Sequence, residues 1–178
     1  MSNKCEECLP GKFAERKGQS ECEPVPSGTY QDGTGKTSSI PCPYGHISAT
    51  EGSTECTPCS KGEVASDDKT KCLKCKAGEF NDQDYSVQGY SEEGCKVCPG
   101  GKYSNVEGVE KCHECVAGSW QGDTGQTKCR TCSPGRFTEK EGQKQCVDCQ
   151  KGQFNPNINA TKCENCPAGS YTTEEAQS

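Results

Sequence analysis

Cysteine pairs recur along most of the chain at an interval of 17 residues. The first cysteines of this series include Cys5, Cys22, Cys56, Cys95, Cys112, Cys129, Cys146 and Cys163, and the pair of Cys22 lacks its second cysteine. Counting 17 residues from Cys22 leads to Ser39 and then to Cys56, so the interval persists where a cysteine is absent. A fixed interval of this kind predicts a repeat array, in which each unit is stabilised by its neighbours.

Composition indicates how such units are stabilised. Eighteen of the 178 residues are cysteine, hydrophobic residues make up only 29%, and the mean hydropathy is -0.95. Burial of apolar surface, at roughly 25 cal/mol per Å², cannot offset the ordering entropy of so polar a chain, so covalent cross-links must contribute. We predict a small disulfide-rich, mainly β fold: an elongated tandem array of short disulfide-closed β-hairpins with a period of about 17 residues.

Each repeat carries further residues at fixed positions, which we count from the second cysteine of the pair as position 0. A glycine lies at position 3 in all ten repeats, an aromatic residue at position 5 in eight of them, and a second glycine at position 10 in six. This pattern predicts a strand of about 4–5 residues around the aromatic residue, a tight turn, and a return strand that ends in the next cysteine pair. We interpret the aromatic residues as one structural plug per repeat.

Two absent cysteines indicate the connectivity. Val25 stands where a second cysteine is expected and Ser39 where a first is expected, and both flank the same repeat. Since a disulfide lost as a unit removes both partners, the second cysteine of one pair is expected to bond the first of the next. The predicted bridges are Cys8–Cys22, Cys42–Cys56, Cys59–Cys72, Cys75–Cys95, Cys98–Cys112, Cys115–Cys129, Cys132–Cys146 and Cys149–Cys163. Cys5 and Cys166 would pair with units outside the fragment.

Zinc is the competing interpretation, because Cys-x-x-Cys pairs at this separation also resemble four-cysteine metal sites. Val25 and Ser39 weigh against it, since each would remove one ligand from a different pair instead of removing one bond. A redox role of the thioredoxin type needs one reactive pair in a βαβ context, which this array does not offer. We expect no metal and no cofactor.

The segments Cys163-Glu-Asn-Cys166-Pro-Ala-Gly169-Ser-Tyr171 and Cys95-Lys-Val-Cys98-Pro-Gly-Gly101-Lys-Tyr103 resemble a known family. They follow the Cys-x-x-Cys-Pro-x-Gly-x-Tyr pattern of the ephrin-receptor-like GCC2/GCC3 cysteine-rich repeat, and they are similar to tumour-necrosis-factor-receptor cysteine-rich modules. The resemblance covers essentially the whole chain. It implies an extracellular stack of disulfide-closed hairpins, of a kind used in receptor stalks, adhesion spacers, matrix components and surface coats.

One repeat breaks the period. The loop between Cys75 and Cys95 is six residues longer than its neighbours and the preceding loop is one shorter. Within the insertion, Asp82, Asp84, Ser86 and Glu93 partly match the spacing of an EF-hand calcium loop. Val87 stands where that loop requires glycine, so calcium is a weak candidate and a solvated acidic bulge is the expected structure.

Other candidate sites are few. His46 and His113 lie in different repeats without a nucleophile nearby in sequence, so we expect no catalytic residues and no enzyme. Asn159-Ala160-Thr161 is an N-glycosylation sequon in a predicted turn. A net charge of -6 argues against nucleic acid as a partner, and no transmembrane or signal segment is present in this fragment.

We therefore expect residues 1–178 to form one continuous array of about ten repeats within a longer extracellular or cell-surface protein. The irregular unit at 76–94 and the unit at 26–38, which lacks its disulfide, are its expected looser points. The predicted function is a non-catalytic rod or spacer that assembles into a coat, matrix or appendage filament. Its expected partners are copies of itself or neighbouring structural chains, with attached glycans. The alternative is a receptor or adhesion ectodomain that binds a protein ligand.

Overall fold

The computed structural model describes residues 5–88 and 92–176. Within these ranges the chain forms eighteen short strands and no helix. The strands pair consecutively into nine antiparallel hairpins, so the predicted disulfide-rich, mainly β repeat array is confirmed. The elements are β1 (Lys12–Phe13), β2 (Glu23–Pro24), β3 (Thr29–Tyr30), β4 (Ile40–Pro41), β5 (His46–Ile47), β6 (Thr57–Pro58), β7 (Glu63–Ala65), β8 (Cys72–Lys74), β9 (Glu79–Phe80), β10 (Lys96–Val97), β11 (Lys102–Tyr103), β12 (His113–Glu114), β13 (Ser119–Trp120), β14 (Arg130–Thr131), β15 (Arg136–Phe137), β16 (Val147–Asp148), β17 (Gln153–Phe154) and β18 (Glu164–Asn165).

The strands are two residues long, or three in β7 and β8, so the expected length of 4–5 residues is wrong. In the hairpin of β13 and β14, Ser119 pairs with Thr131 and Trp120 with Arg130. The ladder stops there because the next residue, Gln121, donates its N–H to the Gln143 carbonyl of the following repeat. Backbone groups that would extend the hairpin are used instead to join repeats.

The buried residues follow the repeat and are mostly not apolar. The buried residues include the eight disulfide-bonded cysteines at position 0 and most polar residues at position 6, together with Val25 and Tyr85. The aromatic residues at position 5 are half-buried, apart from the exposed Tyr171, so they are not enclosed plugs. The core is therefore a row of sulfur atoms and hydrogen-bonded polar side chains, and the aromatic rings lie at its edge.

The chain divides into two compact units. One comprises Met1–Lys74 and Asp82–Gly94, and the other comprises Cys75–Asn81 and Cys95–Ser178. The insertion of the irregular repeat thus belongs to the first unit, whereas its cysteines belong to the second. We number the repeats from 1, which begins at Cys8, to 10, which begins at Cys166.

Candidate functional site

Eight disulfides close the hairpin loops. Their Cα–Cα distances are 5.5–5.8 Å, and six of them join cysteines 14 residues apart. The structure brings together the two cysteines of each predicted pair: Cys8–Cys22, Cys42–Cys56, Cys59–Cys72, Cys75–Cys95, Cys98–Cys112, Cys115–Cys129, Cys132–Cys146 and Cys149–Cys163. The member of each pair at position 0 is buried, so the bridges form the centre of the fold as well as its cross-links.

Repeat 2 keeps its hairpin without a disulfide. Val25 is 0% exposed, and its N–H donates to the Gly11 carbonyl over 2.9 Å. At the other side of the loop, Cys42 N–H donates to the Gly28 carbonyl over 3.0 Å, as the equivalent cysteines do in bridged repeats. Because the Val25 side chain is buried where a cystine sulfur lies elsewhere, apolar packing replaces the bond at this repeat.

Within each compact unit, backbone hydrogen bonds join most repeats to the next in one pattern. Position 3 N–H donates to the position 6 carbonyl of the following repeat, as Gly101 does to Gln121 and Gly118 to Thr138. In the reverse direction, position 10 N–H donates to the position 0 carbonyl of the preceding repeat, as Gly142 does to Cys115. Neighbouring repeats are therefore held by main-chain groups, and their junction tolerates many different side chains.

The residue at position 6 is the centre of most of these junctions, and Gln121 shows its full set of bonds. Its carbonyl accepts from Gly101 N–H over 2.6 Å, and its own N–H donates to Gln143 over 3.0 Å. Its side-chain Nε2 donates to the Lys128 carbonyl over 3.0 Å, and Oε1 accepts from Asp123 N–H over 3.1 Å. Four hydrogen bonds thus satisfy a residue that is 1% exposed.

Equivalent polar residues occupy this position in other repeats. They are Gln31, Ser48, Asn81, Ser104, Thr138 and Asn155, all buried. The sequence interpretation missed them, although a polar residue directly after the position 5 residue was visible in the printed repeats. No single residue type marks this position, because Gln, Asn, Ser and Thr all occur there. What these residues share is a small hydroxyl or amide side chain.

Glycine at position 3 also accommodates contact with the repeat two further along. A Cβ atom at Gly101 would lie 2.1 Å from the Gly142 carbonyl oxygen, and one at Gly118 would lie 2.2 Å from the Asn159 carbonyl oxygen. These distances are far shorter than any Cβ contact allows. We call this close approach the glycine contact; it ties each of these repeats to its second neighbour.

The insertion modifies the glycine contact at Gly45. Tyr85 occupies position 10 of repeat 5, and its ring atoms would lie 2.2–2.5 Å from a Cβ atom at Gly45. Tyr85 is 1% exposed, lies 6.0 Å from the Tyr44 ring and donates its hydroxyl to the Glu93 carbonyl over 3.3 Å. Burial raises the pKa of Tyr44, and Tyr85 and Glu92 add to the shift. An aromatic ring thus replaces a turn carbonyl here.

Lys69 shows a second local adaptation, in the loop that is one residue shorter. Lys69 adopts a positive φ of 54°, and its N–H donates within its own turn to the Ser66 carbonyl. Its ammonium Nζ donates to the Cys42 carbonyl, the acceptor that a position 10 N–H reaches in other repeats. A side chain therefore restores the bond that the shorter loop removes.

The structure does not gather the calcium candidates into one cluster. Asp84 Oδ1 accepts from Ser86 Oγ over 2.5 Å and from Ser86 N–H over 3.1 Å, which lowers the pKa of Asp84. Asp82 Oδ1 accepts from Gln83 Nε2, and Glu93 contributes its backbone carbonyl to Tyr85. Across residues 5–88 and 92–176, no three His, Cys, Asp or Glu side chains are grouped so as to hold a metal ion.

The remaining candidate residues lie apart from one another. Cys5 is exposed and Cys166 is half-buried, and neither forms a disulfide within residues 5–88 and 92–176. Asn159 is exposed, has a φ of 60°, and donates its N–H to the Cys132 carbonyl, so the sequon lies on an inter-repeat turn. His46 Nδ1 lies 3.0 Å from the Tyr44 carbonyl, and the His113 ring packs 5.8 Å from the Tyr103 ring. The described residues contain no helix long and apolar enough to cross a membrane.

Comparison with known families supports the resemblance in the second half of the chain. The family model described as tyrosine-protein kinase ephrin type A/B receptor-like matches residues 101–144 and 139–178. Together these matches span less than half of the chain. A comparison with curated proteins finds no significant match. Repeats 6 to 10 are therefore similar to ephrin-receptor-like cysteine-rich repeats, a module type that is extracellular and non-catalytic.

Proposed function

We propose that the chain is a non-catalytic structural segment of an extracellular or cell-surface protein. It acts as a spacer that resists extension, with residues 1–178 forming one continuous array of about ten repeats. The observation that carries this proposal is the junction that recurs within each unit: most repeats share the same main-chain hydrogen bonds, the glycine contact and a disulfide. The interactions that stabilise the fold are thus distributed along the array instead of being concentrated around one site.

The proposed partners are copies of the same chain or neighbouring structural chains, assembled into a coat, matrix or appendage filament. The outward surfaces of the hairpins suit such contacts because they carry isolated apolar side chains among charged ones. Exposed examples are Val97, Val116, Val147 and Ile158. Short two-residue strands offer little edge for strand addition, so side chains and turns would make the lateral contacts.

Single-molecule pulling tests the load-bearing role. A disulfide between cysteines 14 residues apart prevents about 50 Å of chain from extending under force, at roughly 3.5 Å per residue. We expect repeat 2 to extend first among the hairpins of its unit, because no bridge closes the loop from Val25 to Ser39. The double variant Val25→Cys, Ser39→Cys should remove that step of about 50 Å, and each single variant serves as its matched control. Full extension of the oxidised chain at low force would contradict the proposal.

Sedimentation and electron microscopy of the purified chain test the assembly role. Regular filaments or lateral arrays that appear with rising concentration are the expected result. The receptor or adhesion alternative rests on the matched family, whose printed description is a receptor. A chain that stays monomeric at all concentrations and captures one protein ligand from its native source would favour that alternative and overturn the assembly role.

A further inference from the structure

A polar groove lies beside Trp120, the only tryptophan of the chain. It runs between the hairpin of repeat 7 and that of repeat 8, both in the second compact unit. Its volume is about 550 Å³, within the range of roughly 300–1,000 Å³ that is typical of small-ligand sites. Its lining includes Trp120, Thr131, Ser133, Arg136, Lys144 and Asp148.

The indole ring has protein contacts of its own at the edge of the groove. The Arg130 guanidinium carbon lies 5.4 Å from the Trp120 ring centroid, and Arg130 Nη2 lies 3.3 Å from Asp123 Oδ2. Asp123 is itself positioned by its N–H, which donates to the buried Gln121. A Cβ atom at Gly122 would lie 3.4 Å from the indole six-membered ring. A chain of contacts thus runs from the buried junction residue through Asp123 and Arg130 to the ring, and it orients the indole beside the groove.

Hydrogen-bond donors and acceptors line the rest of the groove. Thr131 and Ser133 supply hydroxyls that both donate and accept. Arg136 Nε lies 2.6 Å from Asp148 Oδ1, across the β15 and β16 pair, so a donor fork and a carboxylate are set side by side. An aromatic ring beside mixed donors and acceptors suits a polyhydroxylated ligand, whose C–H face packs on the ring while its hydroxyls bond the polar groups.

The charge of the groove selects among such ligands. Arg136 and Lys144 are positive and Asp148 is negative, so two positive charges against one leave a net charge of +1. The whole chain carries -6, which disfavours indiscriminate attraction of polyanions. We propose that this groove binds an acidic saccharide, with the sugar face against Trp120 and its carboxylate against Lys144.

Fluorescence of the single tryptophan tests the proposal on the full oxidised chain. The probe is a tetrasaccharide that contains hexuronic acid, and its carboxyl-reduced, neutral form is the matched control. We expect a saturable change in Trp120 emission with the acidic probe and an affinity about 2- to 5-fold lower for the neutral one, as an exposed charge pair predicts. An acidic hexapeptide that binds as tightly as the tetrasaccharide would overturn the assignment to saccharides.

Two lysines of the same loop provide matched variants. Lys144→Gln should weaken the acidic probe about 2- to 5-fold, whereas Lys140→Gln, which removes the same charge from an exposed residue outside this groove, should not change its affinity. Trp120→Phe keeps an aromatic residue at position 5 but offers a smaller ring, so it should weaken binding measured by amide chemical shifts. Equal effects of the two lysine variants, or unchanged binding by Trp120→Phe, would contradict the proposal.

Discussion

At Gly118 the backbone adopts a φ of 81°, and a Cβ atom there would lie 2.2 Å from the Asn159 carbonyl oxygen. Gly152 occupies the same position of repeat 9 with a φ of 79°, yet a Cβ atom there would meet nothing within 4 Å. Gly118 therefore needs glycine for two reasons, its left-handed backbone and the close approach of another chain segment. Gly152 needs it for the left-handed backbone alone.

Alanine substitution should distinguish these demands. Gly152→Ala is expected to destabilise the chain by about 1–2 kcal/mol, the cost of left-handed backbone for an L-residue. Gly118→Ala should cost about 1–3 kcal/mol more because the added methyl overlaps the Asn159 carbonyl. Guanidinium denaturation with disulfides intact, followed by Trp120 fluorescence, measures both. Equal losses would show that the close approach contributes nothing to stability.

Asp68 provides a pH-dependent test at the same scale. Its Oδ1 accepts from Ser66 Oγ over 2.6 Å and from Thr70, and these bonds lower the pKa of the Asp68 carboxyl. Since the folded pKa is depressed, the stabilisation is present above the unfolded value of about 3.9 and is lost as pH falls through the folded pKa. Ser66→Ala should raise the pKa of Asp68 in an NMR titration. Asp84, held separately by Ser86, should not change and serves as the internal control.

At the scale of the element, each hairpin is too short to be stable alone. Two residue pairs, as in β11 and β12, form the whole ladder of repeat 6. Isolated two-stranded hairpins are marginal in water, so the disulfide and the inter-repeat bonds must stabilise them. Repeat 2 shows that the inter-repeat bonds and the buried Val25 suffice when one bridge is absent among bridged neighbours.

Peptide mapping by mass spectrometry under non-reducing conditions checks the bonding pattern. We expect Cys98 linked to Cys112 and Cys132 linked to Cys146, whose Cα atoms lie 5.8 Å apart in both bridges. The tight loops place these cysteines together, whereas members of one Cys-x-x-Cys pair belong to different bridges. A Cys95–Cys98 link, or free thiols with bound zinc, would contradict the connectivity.

The insertion of repeat 5 allows a metal test. Because Asp84 is already engaged by Ser86 and the other candidates face separate partners, millimolar calcium should not raise the melting temperature. Asp84→Asn should behave as the unmodified chain does in the same scan. A rise with calcium that the Asp84→Asn variant abolishes would establish a calcium site at the insertion.

At the scale of the whole molecule, stability depends on covalent bonds more than on apolar burial. Among the residues that the structure describes, the largest fully buried side chains include only two that are apolar or aromatic, Tyr85 and Val25, apart from the cysteines. Each compact unit is therefore a set of junctions, with sulfur atoms and polar residues in place of a hydrophobic core.

Reduction should consequently unfold the chain. A disulfide that closes a 15-residue loop stabilises by about 3 kcal/mol in the chain-entropy model, and eight are present among the described residues. We expect amide chemical-shift dispersion to collapse when dithiothreitol is added, while a zinc chelator leaves the oxidised spectrum unchanged. A dispersed spectrum after complete reduction would show that apolar packing alone stabilises the fold.

The sequence predicted the repeat, the hairpins and the use of glycine because these depend on local backbone rules and on residues at constant spacing. The positive φ of Asn159, where six other repeats carry glycine, follows the same local rule. Strand length was overestimated because nothing in the spacing shows that Gln121 turns its N–H toward the next repeat.

Long-range contacts decided the rest. The burial of Tyr85 against Gly45 joins residues 40 positions apart, and no local pattern distinguishes it from an exposed residue of a bulge. The groove beside Trp120 likewise requires two hairpins to lie side by side, and the bond from Gln121 N–H to the Gln143 carbonyl joins their repeats. The sequence by itself thus determined the repeating unit, because its turns and bridges are local. Only the tertiary structure decided which side chains are buried, because burial depends on where the next two repeats lie.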